Sequence, residues 1–227
     1  MSEAERKTDQ GQSTQNLTPD ARLADATGNF AELVAAGTPT PGGGSVAAHA
    51  GALAAALGRM MCNLTIGKPK YAEAESRINE IKSELEGLEA RLKHLIDEDA
   101  ASFENVLAAY RMPKQTEEEK AARSNQIEAA GRGAAYTPYD TAQRAFEVLK
   151  LLAELKDTGN QNALPDLTMA ARLAETAIRG ASYNIIANLS MFSDSEEAER
   201  LRGQINGLIE DAKKIAEEME SHTLSSM

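Results

Sequence analysis

The chain has 227 residues, room for one large domain or two small ones. Thirty-five Asp and Glu against 24 Lys and Arg leave a net charge of −11, which argues against nucleic-acid binding, where phosphate contacts require a basic face. One cysteine and three histidines supply neither a disulfide framework nor a thiolate zinc site, so no metal is expected. Aromatic residues make up 4% and tryptophan is absent, which leaves Ala, Leu, Ile and Met to build the core. The opening segment MSEAERKTDQGQSTQN holds no apolar run of the kind a secretory leader needs, and a cytoplasmic protein is expected.

Residues 1–19 carry no periodicity and read as a disordered tail; residues 20–227 read as a single helical domain. A first amphipathic helix carries Leu23, Phe30, Leu33 and Val34 and stops at Gly37. TPTPGGGS then breaks the chain, and Ser45 is placed to cap a second helix over 46–66. That helix is Ala, Gly, Leu and Met on every face. It is long enough for a membrane span, but His49, Arg59 and Asn63 would then sit in lipid. The reading is a central helix enclosed by protein. A long helix over 70–111 follows, its apolar stripe running through Leu85, Leu88, Leu92, Leu95, Phe103, Val106 and Tyr110. Thr116 with Glu119 is a capping box, opening a helix to about Tyr136. Pro138 starts another, with Val148, Leu149, Leu152 and Leu155 inward. After DTGNQNALPD, Pro165 opens a second all-round apolar helix to about Met191, and Asp194 and Glu197 open a last amphipathic one. The predicted fold is all-α: two buried central helices surrounded by about five amphipathic ones.

The informative residues are polar ones on inward positions. Asp99 lies four residues after Leu95 and four before Phe103, on the apolar stripe, whereas Asp97 falls about 200° away around the helix. A carboxylate so placed has its charged form disfavoured, which raises its pKa toward the range of a general base or acid; a structural ion pair would also account for it. Gly42, Gly43 and Gly44 before Ser45 can turn backbone N–H groups toward an anion at a helix N-terminus, or can simply make a tight turn. Asn160, Asn162 and Asp166 form an Asn-rich loop that caps a helix or faces a ligand, and Asn184 and Asn188 share one face of the apolar helix. Lys68, Lys70, Arg111 and Lys114 are cationic points in an acidic chain, either solvated helix ends or a site for an anionic small molecule. Cys62 reads as core.

Taken in order, TPTPGGGSVAA, LTIGKPKY, LIDEDAASF, AAYRMPKQTEEEKAAR, GNQNALPD and GASYNIIANL resemble the cyclodeaminase/cyclohydrolase family over residues 26–220. The resemblance implies an all-helical subunit that dimerises and acts on a tetrahydrofolate one-carbon derivative, its catalytic acidic residue within Asp97-Glu98-Asp99-Ala100. On that reading Asp99 is the general acid/base. The glycine turn, Ser45, Lys68, Lys70, Asn160, Asn162, Asp166 and Asn184 bind substrate, the turn and the two lysines holding its glutamate carboxylates. No cofactor is needed beyond the folate substrate itself. Many relatives have serine where this chain has Pro165, which removes a hydroxyl and a backbone donor from that position. Three activities follow as expectations: hydrolysis of methenyltetrahydrofolate to 10-formyltetrahydrofolate, deamination of 5-formiminotetrahydrofolate with release of ammonia, or folate binding without turnover. Hydrolysis leads, because no formiminotransferase domain accompanies the helical one in this sequence.

Overall fold

The structure, a computed structural model, describes residues 23–227; the expected tail over 1–19 lies outside them. Among the described residues there is no strand, and six α-helices run in order with short 3₁₀ turns at three junctions. The chain divides into a unit over residues 1–38 and a larger one over residues 39–227. In the first, α1 (Leu23–Ala35) ends just before Gly37, whose φ of +74° is the left-handed conformation that stops a helix. The larger unit holds α2 (Gly43–Thr65), α3 (Glu75–Arg111), α4 (Glu117–Thr158), α5 (Leu164–Asn188) and α6 (Ser195–Ser226).

Small residues on α2 decide how this unit packs. Gly44, Gly51 and Gly58 recur every seven residues and so lie on one face. A Cβ at Gly51 would meet Leu92 at 3.1 Å, and one at Gly58 would meet Leu152 at 2.6 Å and Leu85 at 2.9 Å. The backbone of α2 therefore sits directly against side chains of α3 and α4. On its neighbouring face Ala47 approaches Gly180 of α5, and at its far end the Thr65 hydroxyl accepts from the Asn160 backbone N–H at 2.9 Å. These contacts run α5 antiparallel to α2. Arg59 on α2 donates to the buried Glu89 of α3 at 2.6 Å, and Lys93 reaches the same carboxylate at 2.5 Å. The final helix closes the core with Leu201, Ile205, Ala212, Ala216 and Met219, all buried.

The all-α expectation holds, and six local expectations change. Gly42, not Ser45, is the N-cap of α2, so Ser45 falls in the first turn with its hydroxyl free to reach α3. The segment Pro69–Ala74 is a 3₁₀ turn, and α3 starts at Glu75. Phe103 and Tyr110 are 39% and 49% exposed, because the stripe of α3 runs past the start of α2 beyond Asp99 and only Val106 and Ala109 stay covered, in a small cluster with Ala130 and Ala134. Neither Asn162 nor Asp166 caps α5: Ala163 is its N-cap residue, and Asp166 lies exposed in its first turn. α2 is enclosed on three sides only; Val46, Leu53 and Leu64 are 41%, 44% and 41% exposed on the fourth.

The sixth change has a cause visible in one bond. Pro138 lies inside α4, joining two predicted helices into one. Proline removes the N–H that would bond to the carbonyl four residues back, which is Ala134. The Asn188 side chain of α5 donates to that carbonyl at 2.9 Å and replaces the missing donor. We predict that Asn188→Ala destabilises the fold by about 1–3 kcal/mol by leaving a buried carbonyl unpaired. Adding Pro138→Ala restores the backbone donor and should recover most of the loss in thermal melts; no recovery would mean that Asn188 acts elsewhere.

Candidate functional site

The first turn of α2 is built around a side chain from α3. An added Cβ at Gly44 would lie 2.0 Å from Asp99 Oδ1 and 2.5 Å from its Cγ, so only glycine leaves room for that carboxylate. Ser45 holds it from the side, its Oγ 3.0 Å from Asp99 Oδ2 and 3.0 Å from the Ile96 carbonyl oxygen. The single hydroxyl proton serves one acceptor at a time, and Ile96 keeps the oxygen oriented when Asp99 is protonated. The anion at this helix N-terminus is thus the chain's own Asp99, which takes the position that the glycine turn offers to a carboxylate.

Burial pushes the Asp99 carboxyl above its ordinary value, and the hydrogen bonds from the Ser45 hydroxyl and backbone N–H pull against that rise without cancelling it. Asp99 faces a cleft of about 130 Å³ lined also by Pro39, Thr40, Gly42, Gly43, Ser102, Phe103, Ala134, Asn184 and Asn188. Among the described residues no Lys, Arg or His lines it. Asn184 Nδ2 donates to the Gly180 carbonyl at 3.1 Å, and Asn188 Nδ2 donates to the carbonyls of Asn184 and Ala134, each at 2.9 Å. Carbonyls only accept, so both amide orientations are set: Asn188 has both donors engaged and offers its oxygen, and Asn184 offers its oxygen and one remaining N–H. The polar side chains of the cleft are the Asp99 carboxyl, the Asn184 and Asn188 amides and the Thr40 and Ser102 hydroxyls, an acceptor-rich set that suits a cation or a ring bearing N–H donors.

The predicted site residues divide into two groups. Gly42, Gly43, Gly44, Ser45, Asp99 and Asn184 come together here. Lys68, Lys70, Asn160, Asn162 and Asp166 lie at the other end of α2, whose 23 residues span about 35 Å. There Asn160 is buried as a structural residue: its side chain donates to the Leu64 carbonyl at 3.2 Å and accepts from the Asn162 N–H at 3.3 Å. Lys70 lies over the Tyr71 ring, and neither lysine makes an ion pair among the described residues. Asp97 is exposed and outside the cleft. Ser102 and Phe103 escaped the sequence reading although they sit three and four residues after Asp99; the helical spacing was there, but Phe103 reads equally well as core. A larger groove of about 500 Å³ between α3 and α4 is lined by Arg77, Glu84, Glu147, Lys150 and Glu154. Its Arg77 is already paired with Glu84 and Glu154, each at 2.9 Å, so it offers no poised acid or base. Among the described residues no group of three or more His, Cys, Asp or Glu is arranged to hold a metal ion, and no helix is long and apolar enough to cross a membrane.

Comparison with known proteins agrees with this architecture. The family profile described as formiminotransferase-cyclodeaminase matches residues 26–207. A methenyltetrahydrofolate cyclohydrolase from Methylorubrum extorquens is 37% identical over 83% of this chain and 90% of its own length. The formimidoyltransferase-cyclodeaminase of Rattus norvegicus is 34% identical over 87% of this chain, but the match spans only 37% of that protein. The crystal structure of formiminotetrahydrofolate cyclodeaminase from Thermotoga maritima superposes with a TM-score of 0.71 at 28% identity, covering 86% of this chain and 91% of that one.

Two measurements check the electrostatics of Asp99. Removing a donor to the carboxylate disfavours its charged form, so Ser45→Ala should raise the Asp99 pKa further in a carbon-detected NMR titration; a fall would assign the hydroxyl the opposite role. A carboxyl whose pKa is raised by folding contributes stability that is lost as pH rises through the folded value. Asp99→Asn should therefore melt at or above the wild-type temperature at pH 7, with the advantage shrinking as the pH falls below the ordinary carboxylate range.

Proposed function

From the premise that this chain belongs to the formiminotransferase-cyclodeaminase family, we propose that it hydrolyses 5,10-methenyltetrahydrofolate to 10-formyltetrahydrofolate. The observation that carries this reading is the half-buried Asp99 carboxyl in a cleft with no basic side chain among the described residues. In methenyltetrahydrofolate one carbon bridges two nitrogens as a cationic amidinium. A site of acceptors accommodates that cation, and a carboxyl whose pKa burial has raised can both take up and return a proton.

The reaction then divides into two proton transfers at one residue. Asp99 takes a proton from water as its oxygen bonds to the bridging carbon, giving a neutral tetrahedral adduct. The adduct collapses to a carbonyl as the bond from carbon to the pterin-ring nitrogen breaks. Asp99 returns its proton to that nitrogen, and the hydroxyl proton leaves to solvent, so one proton is released per turnover. No metal or organic cofactor enters these steps. Ser45 keeps Asp99 aimed in both protonation states, Gly44 gives it space, and the exposed edge of Phe103 offers a stacking surface for the heterocycle.

We further propose that the protein works as a homodimer in the cytoplasm. The exposed apolar side of α2 supports the first, and the free, buried Cys62 thiol, pushed by burial to about 11, accords with a reducing compartment.

The test is the decay of methenyltetrahydrofolate absorbance above its spontaneous rate. Asp99→Asn should lower kcat by about 10²–10⁴-fold while the protein stays folded, the range of a lost acid–base group. Gly44→Ala should lower it by about 10²-fold by pushing Asp99 out of line. Near-full turnover in Asp99→Asn would refute the assignment. Ammonia release from 5-formiminotetrahydrofolate, without faster methenyl decay, would move the activity to cyclodeamination.

A further inference from the structure

Beyond the cleft, α3 and α4 run on together as a hairpin whose exposed surface is aromatic and cationic. Phe103 lines the cleft, and Tyr110, seven residues on, shares its face of α3; both are exposed. Arg123 of α4 lies over the Tyr110 ring, its Cζ 5.5 Å from the ring centroid. Its Nε and Nη2 donate to the Tyr110 carbonyl at 3.3 and 3.2 Å. The guanidinium is therefore held in place by neutral groups. Its Nη1 has no partner among the described residues, and Arg123 meets no carboxylate there.

That is not how this acidic chain treats its other arginines. Arg59, Arg77, Arg91, Arg132, Arg144 and Arg172 all pair with carboxylates, whereas Arg123 keeps its charge for a group outside the fold. Arg111 and Lys114, at the hairpin tip, are also exposed and make no ion pair among the described residues. Dimensions connect this cation to the cleft. About 130 Å³ is below the roughly 300–1,000 Å³ usual for small-molecule sites, so the cleft holds a ring system and the rest of a larger ligand lies outside it. Eleven residues separate Asp99 from Tyr110, about 16 Å of helix. A water beside Asp99 takes about 3 Å of that, leaving about 13 Å. In methenyltetrahydrofolate the bridging carbon is bonded to the aminobenzoyl nitrogen, and summed bond lengths place the glutamate carboxylates about 10–13 Å beyond it.

We propose that the hairpin is the subsite for the substrate's tail: with the heterocycle against Phe103, the aminobenzoyl ring lies along Tyr110 and Arg123 takes a glutamate carboxylate through Nη1. This deepens the folate reading above and rests on it. Acceptors around Asp99 receive the cationic ring, and a fixed cation receives the anionic tail, so charge alone sets the direction in which the substrate lies. Arg111, singled out in the sequence as a cation for an anionic small molecule, adds attraction at the same end.

The test compares 5,10-methenyltetrahydrofolate with 5,10-methenyltetrahydropteroate, which lacks the glutamate. The wild type should favour the first by about tenfold or more in kcat/KM, the scale of a charge-assisted hydrogen bond. Arg123→Gln, which keeps a donor for the Tyr110 carbonyl, should bring that preference down to about one, acting through KM. Arg123→Lys keeps the charge and should retain part of the preference. No preference in the wild type, an undiminished one in Arg123→Gln, or an equal fall for both substrates would overturn the subsite. Turnover of neither substrate would instead refute the hydrolytic reading, and binding then decides the subsite by itself. p-Aminobenzoylglutamate should shift the Arg123 side-chain NMR signals at concentrations where p-aminobenzamide does not, and the shifts should persist in Asp99→Asn. No shift, or the same shift from both compounds, would overturn the proposal whatever the reaction.

Discussion

The architecture depends on the closeness with which α2 is approached. Three glycines at seven-residue spacing leave one face of the helix without side chains, and Asp99, Leu92, Leu85 and Leu152 occupy the space where Cβ atoms would be. Such contacts place side chains of α3 and α4 against backbone, where packing tolerates little displacement. The same device therefore builds the hydrophobic core at Gly51 and Gly58 and fixes a carboxyl at Gly44. The candidate site is the terminal turn of the packing scheme.

That origin accounts for the electrostatics of Asp99. Packing against Gly44 removes the carboxyl from water and raises its pKa, while the Ser45 donors and the helix N-terminus hold it in check. The competition leaves a group that can both accept and release a proton. Glu89 shows the other outcome on the same pair of helices. Burial raises its pKa as well, but hydrogen bonds from Lys93 and Arg59 outweigh burial and hold it below the usual range. Two carboxylates facing α2 thus differ in role because one meets cations and the other meets a hydroxyl and backbone N–H groups.

The asparagines of α5 show how structural repair and site chemistry combine. Asn188 compensates for Pro138 by donating to the orphaned Ala134 carbonyl, and that commitment orients its oxygen outward from the repair. Asn184 is oriented in the same way by the Gly180 carbonyl. A cleft rich in acceptors follows from backbone groups that had to be satisfied.

Much of this was legible in the sequence. Periodicity along the chain determined the all-α class, the capping box at Thr116 and Glu119, the inward position of Asp99 and its separation from Asp97, since all of these depend on neighbours within a turn or two of one helix. The continuity of α4 through Pro138 was decided elsewhere, because its substitute donor is 50 residues away on α5. The same holds for Ser45, whose partner is Asp99 on α3 rather than its own helix, and for Phe103, whose stripe runs past the end of the core. Grouping Lys68, Lys70 and the Asn-rich loop with Asp99 required knowing which end of α2 each one meets, and residue types carry no such information. Local sequence specifies which face of a helix turns inward; only the packed structure specifies what that face meets, because the partner is chosen by the whole arrangement of helices.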